Sequence, residues 1–409
     1  MSKKIANTEA TAELVDYSDY SLQLNRWFLK PIGAWPAGPT SSKGEKLVSL
    51  ALKIVCYVLM VSVGTLCFLH IILEHESIYV KLKTTAGLSH WITSSVTYTT
   101  LLLRSKDIRY CLDQIESDWQ TVAQEKHQEV MLQNAKFGRY VATLCAAFMQ
   151  GGVMSFCFVQ ALSTEEILVG NETKTVHALP CTVYKGLVNT DEEPTNAIVL
   201  YVEIVSIFIA NSSTVGTFSL AAVLAAHACG QLGVLMVRIT DFVDASREQK
   251  KPKAFREIGL IVEHHLKTLN FVSCIEKVMN RIYFLELFRC MLVICLLGYL
   301  ILMDLAVRNY ESVATLVTCT ISVCFNIFIM CYISEVLTEQ CRKVGDVVYM
   351  SNWYYLPDKM IPDLIFVIAR ASIVVDITAG KVIHMSVDTF GQVMKTGFAY
   401  LNVMRQMVR

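Results

Sequence analysis

The sequence lacks the short motifs on which most soluble enzymes depend. No P-loop, GxGxxG, HExxH or GxSxG occurs in its 409 residues, so nucleotide binding, zinc proteolysis and serine hydrolysis have no residue set to act through. Charge is scarce as well. Asp, Glu, Lys and Arg make up 18% of the chain against 54% hydrophobic residues, whereas a soluble domain is about a quarter charged. The formal net charge is zero, and nothing offers a basic stripe to nucleic acid. The 14 cysteines include no CxxC pair, which removes the usual zinc and redox spacings. Most of them, Cys56, Cys67, Cys145, Cys157, Cys290, Cys295, Cys319, Cys324 and Cys331, lie in apolar runs and read as small packing residues. A cleavable signal peptide is missing too. The first 46 residues are polar and then mixed, and the first apolar run is too long and too late, so it is expected to act as a signal anchor.

What the chain has instead is long apolar runs. Seven fit the roughly 20 residues that a hydrocarbon core requires: Leu47–Leu73, Thr84–Leu103, Phe137–Leu162, Asn196–Ala226, Leu287–Val307, Ser312–Ile333 and Val382–Met404. Thr84–Leu103 is rich in Thr and Ser and needs shielding by other helices. The N-terminal tail and the second, fourth and sixth loops together carry 25 of the 36 basic residues, the opposite flanks 7 and the spans 4. The positive-inside rule therefore places the N-terminus in the cytoplasm and the C-terminus outside, the inverse of a G-protein-coupled receptor. The expected fold is all-α, a seven-transmembrane helical membrane protein with a cytoplasmic layer of helix extensions. That layer includes Leu224–Val243 and Phe255–Tyr283, the second of which repeats apolar residues at helical spacing. Trp27 to Pro36, rich in aromatics and proline, fits an interfacial or re-entrant segment.

The outer loop Ser163–Thr195 holds six acidic and two basic residues and the sequon Asn171-Glu172-Thr173, which marks Asn171 for glycosylation. A second sequon at Asn211 lies inside a span and is expected to stay unmodified. Glu263, His264 and His265 sit together, but neighbouring helical residues point about 100° apart, so the histidines read as a surface pair and no metal is expected. Gly151-Gly152 reads as a close-packing site. Polar residues at membrane depth, Glu203, Asn211, Asp304, Asp388 and Lys395, each require a partner or water.

The last segment, Met385 to Gln406, closely resembles the seventh helix of insect odorant receptors. Ser386, Phe390, Lys395 and Tyr400 match that family's Ser, Phe, Lys and Tyr pattern. Ala399-Tyr400 and Gln406-Met407 also resemble the gustatory-receptor signature Thr-Tyr-x5-Gln-Phe, but Ala and Met replace its Thr and Phe, which favours the odorant branch. Pro180, the stretch Ala226 to Leu232, Trp353 and Arg370-Ala371 extend the resemblance along the chain.

The resemblance implies an odorant-binding subunit of an odorant-gated, non-selective cation channel. Such a subunit assembles as a heterotetramer with a shared odorant receptor co-receptor, in the plasma membrane of sensory neuron dendrites, with no cofactor and no G protein. It further implies a ligand pocket for a volatile odorant in the outer halves of the helices within 47–333, drawn from Trp91, Ser95, Met154, Phe156, Tyr201, Val205, Phe208, Thr318 and Cys319. A cytoplasmic anchor at 334–381 would use Trp353, Leu364, Ile368 and Arg370 at subunit contacts, joined by Tyr400. In the pore-lining segment at 382–409, the co-receptor's constriction positions fall on Val403, Gln406 and Met407. Membrane lipid and permeating cations complete the implied partners. A gustatory-type channel of the same superfamily is the near alternative. A transporter is the distant one, and no inverted repeat of broken helices supports it.

Overall fold

The computed structural model describes residues 17–38, 41–122, 124–169, 172–247, 254–373 and 375–407. In chain order the helices are α1 (residues 17–29), α2 (Lys43–Leu73), α3 (Ile78–Leu103), α4 (Ser105–Thr121), α5 (Glu125–Cys145), α6 (Gly151–Leu162), α7 (Thr195–Arg247), α8 (Ala254–Ala306), α9 (Tyr310–Met350), α10 (Ile361–Ser372) and α11 (Val387–Met407). A single π turn, Ala146–Gln150, joins α5 to α6. Among the described residues, five helical segments are long and apolar enough to cross a membrane: α2, α5 with α6, α7, α8 and α9. Helices α3 and α11, at 26 and 21 residues, have the length but not the apolarity. In α3 the polar residues are covered, because Thr84, Thr93, Ser94 and Thr97 are buried between helices.

Helix α7 is the axis of the molecule. Its apolar stretch is 89% buried against 28% for α2, so α7 is wrapped by other helices while α2 faces outward. At 1.5 Å per residue the 53 residues of α7 and of α8 run about 80 Å each, far beyond a hydrocarbon core of about 30 Å. The excess lengths meet α4, α5, α9 and α10 in the expected layer of helix extensions. Close approach of α5 to α7 needs glycine: a Cβ on Gly138 would stand 2.7 Å from Ala226 Cβ. Residues 17–38 tuck beneath this bundle. Leu29, Ile32 and Ala34 are buried, the Asn25 amide donates to Ser219 Oγ at 3.0 Å, and Tyr98 donates to the Ile32 carbonyl at 2.6 Å.

Two short hairpins interrupt the helices. Strands β1 (Thr164–Val169) and β2 (Glu172–His177) pair antiparallel from Thr164↔His177 to Val169↔Glu172. Asn171, the expected glycosylation position, lies outside the described residues. Strands β3 (Thr378–Ala379) and β4 (Ile383–His384) form the second pair. The turn between them places Gly380 and Lys381 at φ of 64° and 62°, the left-handed region of a tight hairpin. This hairpin moves the start of the last helix from the expected Val382 to Val387.

Candidate functional site

Three regions hold the residues the sequence singled out. The first lies around the N-terminal half of α7. Trp91 is buried, and its indole N–H donates to Ser206 Oγ at 2.9 Å; Ser206 in turn donates to the Leu59 carbonyl at 3.3 Å. One turn away Glu203 is fully buried. Its Oε2 accepts from the Cys181 backbone N–H at 3.2 Å, and its Oε1 has no hydrogen-bond partner among the described residues. Asn196 holds the same loop by accepting from the His177 N–H at 3.0 Å and donating to the His177 and Thr190 carbonyls. Ala178, Cys181 and Val183 are thereby buried as a plug over α2, α3 and α7.

The expected ligand residues divide across this region. Trp91 is enclosed, while Ser95, Phe156, Val205 and Cys319 are half-buried. Met154, Tyr201, Phe208 and Thr318 are exposed on this chain. Asn211 donates to the Met149 carbonyl at 3.2 Å and to Gln150 Oε1 at 2.7 Å, so the buried amide serves the carbonyl that the π turn displaces. A Cβ on Gly152 would meet Ser322 Cβ at an ordinary 3.5 Å and one on Gly151 would meet nothing within 4 Å, so neither glycine is required by packing within the described residues. A cavity of about 580 Å³ lies elsewhere, beside the start of α2 among Arg26, Lys30, Trp35, Glu45, Arg109 and Glu116.

The second region is α11. Val393 and Gly397 are buried and Leu401 is half-buried. Gly397 and Leu401 meet α8, where a Cβ on Gly397 would lie 3.1 Å from Ile294, and one on Gly298 would lie 2.9 Å from Leu401. Asp388, Gln392, Lys395, Asn402 and Gln406 are all exposed. At 100° per residue these five fall within an arc of about 80°, and the three residues toward α8 centre about 180° from them. Helix α11 is thus packed on one side and carries a polar stripe along the other, with Val403 exposed at its margin. Tyr400 is exposed too. The Met407 side chain lies outside the described residues. Of the polar residues expected to need partners, Asp388 accepts from Gln392 at 2.7 Å. Asp304 accepts from Tyr79 at 3.0 Å and Ser312 at 2.5 Å.

Behind α11 is a polar knot that sequence reading missed. Glu286 and Arg289 pair in the interior, 2% and 8% exposed, and Asn326 of α9 donates to Glu286 Oε1 at 2.7 Å. The i, i+3 spacing of opposite charges at the entry to an apolar run was the available signal.

The third region is the helix-extension layer. Asp118 of α4 is 7% exposed and accepts from Gln114 at 2.8 Å, Lys267 at 2.6 Å and His227 at 3.1 Å. Burial pushes its carboxyl up, but His227 and Lys267 outweigh that and hold it below the usual carboxylate range. The expected surface pair His264 and His265 is corrected here. His265 is 2% exposed, and His264 Nε2 donates to Gln231 Oε1 at 2.9 Å, because α8 packs both faces against its neighbours at this level. Burial, helped by Arg370, pushes the His265 imidazole down to about 4. Helix α10 turns Leu364, Val367 and Ala371 into the chain, so Leu364 is covered by its own subunit. Ile365 and Phe366 are exposed, Ile368 and Trp353 half-buried, and Arg370 Nη1 has no partner among the described residues.

A family model for the 7tm odorant receptor matches residues 81–398. Odorant receptor 83a of Drosophila melanogaster is 21% identical over 146 residues, 36% of this chain and 32% of that protein. Odorant receptor 10 of Aedes albopictus is 20% identical over 176 residues, 43% and 46% of the two chains. The chain thus aligns with less than half the length of these curated relatives. The solved insect olfactory receptor OR5 from Machilis hrabei matches 95% of this chain and 100% of its own, with a TM-score of 0.77 and 17% identity. In complex with eugenol it gives 0.80 at 16% identity, with the same coverage of both chains. Those two solved structures establish a shared fold, and the family model marks a multi-pass membrane protein of receptor rather than enzyme type. With a family model covering more than three quarters of its length, this chain belongs to the 7tm odorant receptor family.

Proposed function

We propose that this chain is the odorant-binding subunit of an odorant-gated, non-selective cation channel completed by the odorant receptor co-receptor, with its N-terminus in the cytoplasm and its C-terminus outside. The observation that carries the reading is the polar stripe of α11. A helix of membrane length that exposes Asp388, Gln392, Lys395, Asn402 and Gln406 on one face cannot turn that face to lipid, where charged and amide groups are costly. The face belongs against water, and four such helices around an axis make a pore. Val403, Gln406 and Met407 are the proposed constriction, apolar side chains gating by dewetting and an amide replacing part of an ion's hydration.

The proposed odorant site is the outer-half set of Trp91, Ser95, Met154, Phe156, Tyr201, Val205, Phe208, Thr318 and Cys319, apolar with a few hydrogen-bonding groups as small-ligand sites are. That the relative from Machilis hrabei was solved with eugenol supports a volatile ligand. The proposed subunit contacts are Trp353, Ile368, Arg370 and Tyr400. The unpartnered Arg370 Nη1 supports a carboxylate from a neighbour, and Leu364 acts from beneath by fixing α10. Asn171 is the proposed glycan site, and the sensory dendrite membrane the proposed location.

The test is expression with and without the co-receptor. Cells holding both should give odorant-evoked cation current within milliseconds when G proteins are blocked, and cells holding this chain alone little or none. Robust current from this chain alone, or a response lost with G-protein block, would overturn the proposal.

A further inference from the structure

Helices α4 and α8 run antiparallel along a seam whose contacts keep one register. Asp107 accepts from Lys277 at 2.9 Å at one end, and Asp118 accepts from Lys267 at 2.6 Å at the other. Between them Cys111 Sγ lies 3.4 Å from Cys274 Sγ. Each pair sits where two facing antiparallel helices would place it, so the thiols are aligned by ion pairs on both sides. The two cysteines are 163 residues apart in sequence, which is why no local spacing announced them.

The two thiols differ in the way a reactive pair requires. Cys111 is fully buried, whereas Cys274 is half-buried and open to a small oxidant. Cys111 donates its S–H to Cys274. That hydrogen bond holds the Cys274 thiol below its ordinary value, with Lys277 and Arg104 adding to it against burial and Asp107. The same contact and burial push Cys111 up. A half-buried thiol held below its ordinary value beside a fully buried one is the arrangement of an attacking and a resolving cysteine.

We propose that Cys111 and Cys274 form an oxidation site that closes to a reversible disulfide and staples α4 to α8. The oxidant is a peroxide. Cys274 gives up its proton and attacks one peroxide oxygen as the thiolate; an S–O bond forms, the O–O bond breaks, and the leaving hydroxide takes up that proton as water. Cys111 sulfur then displaces the resulting hydroxyl, its proton leaving with that oxygen as water, and the S–S bond forms. The balance is two thiols and one hydrogen peroxide to one disulfide and two waters. Closing the bond from 3.4 Å to the roughly 2.05 Å of a disulfide asks for side-chain rotation, because the seam already fixes the helices. The site rests on the cytoplasmic placement of this layer only for its resting state, since a reducing compartment keeps the pair open.

The test uses the full chain coexpressed with the co-receptor. Membranes are treated with hydrogen peroxide, free thiols are blocked with N-ethylmaleimide, and tryptic peptides are read by mass spectrometry before and after dithiothreitol. The expected result is a linked Cys111–Cys274 peptide pair after peroxide only, removed by dithiothreitol. The thermal midpoint of the purified complex should rise by at least about 2 °C on oxidation and fall back on reduction. Cys111→Ser should trap Cys274 as a sulfenic acid that dimedone labels, and Cys274→Ser should abolish both products. Because Cys274 is half-exposed, the second variant tests the site even if the buried substitution folds poorly. Alkylation of both cysteines after peroxide, with no linked pair, would overturn the proposal. A disulfide already present before any oxidant would overturn its reversible nature and mark the layer as outside the cytoplasm.

Discussion

Replacing Asp118 by Ala is expected to destabilise the helix-extension layer by about 3 kcal/mol. The carboxylate ties α4 to α7 through His227 at 3.1 Å and to α8 through Lys267 at 2.6 Å. The two partners weigh differently. His227 is buried beside it, and a buried hydrogen bond to a charged group contributes about 1.5–3 kcal/mol. Lys267 is 45% exposed, so its ammonium can return to water and its pair is discounted to about 0.5–1 kcal/mol. The unfolding entropy of about 2.1 cal/mol/K per residue over 409 residues gives about 0.9 kcal/mol/K. A loss of about 3 kcal/mol then lowers the thermal midpoint by about 3 °C. The assay is a fluorescence-detected size-exclusion melt of the coexpressed complex, with Asp118→Ala, His227→Ala and Lys267→Ala. His227→Ala should come close to Asp118→Ala in cost, whereas Lys267→Ala should cost a third or less. Equal costs for Lys267 and His227, or an Asp118→Ala midpoint within 0.5 °C of wild type (below ~0.5 kcal/mol on the same scale), would refute this weighting. The sign with pH follows from the lowered carboxyl. Its contribution is complete above the ordinary Asp value of about 3.9 and is lost as pH falls through the lower folded value, so an acid series of melts should show it disappearing below about pH 4.

Four further outcomes are expected. His265 is held neutral, down to about 4, so stability should fall as pH drops from about 6.5, the ordinary His value, toward 4; His265→Phe should flatten that decline in a pH series of melts. Gly138→Ala should cost about 1–3 kcal/mol by overpacking, since its Cβ would stand 2.7 Å from Ala226, and expression of the folded complex should drop. Asn211→Ala should cost about 1–3 kcal/mol by leaving Gln150 and the Met149 carbonyl without their buried donor, measured by the same melt. Alanine at Trp91, Phe156, Tyr201 or Phe208 should shift the potency of an activating odorant several-fold; a scan in which none of the four moves any dose-response curve would remove the proposed site.

The long apolar runs made most of this fold legible, because membrane crossing imposes a length and an apolarity that leave a direct imprint on sequence. The periodicity of Phe255 to Tyr283 gave the inner half of α8 for the same reason. Contacts made through tertiary register left no such imprint. The burial of His265, the Cys111–Cys274 contact and the reach of Asn326 to the Glu286–Arg289 pair depend on residues far apart in the chain, whose spacing says nothing about their neighbours. The π turn at Ala146–Gln150 and the hairpin before α11 were equally hidden, since one extra backbone residue or two left-handed residues alter no hydropathy pattern. For the candidate site, the polar stripe of α11 was present in the sequence at heptad spacing, but only the packing of Gly397 and Leu401 on α8 shows which face stays open. The outer-half ligand set was named by helix depth alone, which fixes height in the membrane but not rotation about the helix axis. Hence Trp91 is enclosed while Tyr201 faces out.

The central claim is that this chain's own last helix lines the odorant-gated pore. The measurement that reaches it most directly is the reversal potential of the odorant-evoked current in cells coexpressing the co-receptor, compared between wild type, Gln406→Arg and Val403→Ser under sodium, potassium and calcium gradients. A fixed positive charge at Gln406 should lower relative calcium permeability and shift the reversal potential, and a polar side chain at Val403 should raise current in the absence of odorant. Wild-type reversal potentials and wild-type leak in both variants, with odorant-evoked current intact, would contradict the account.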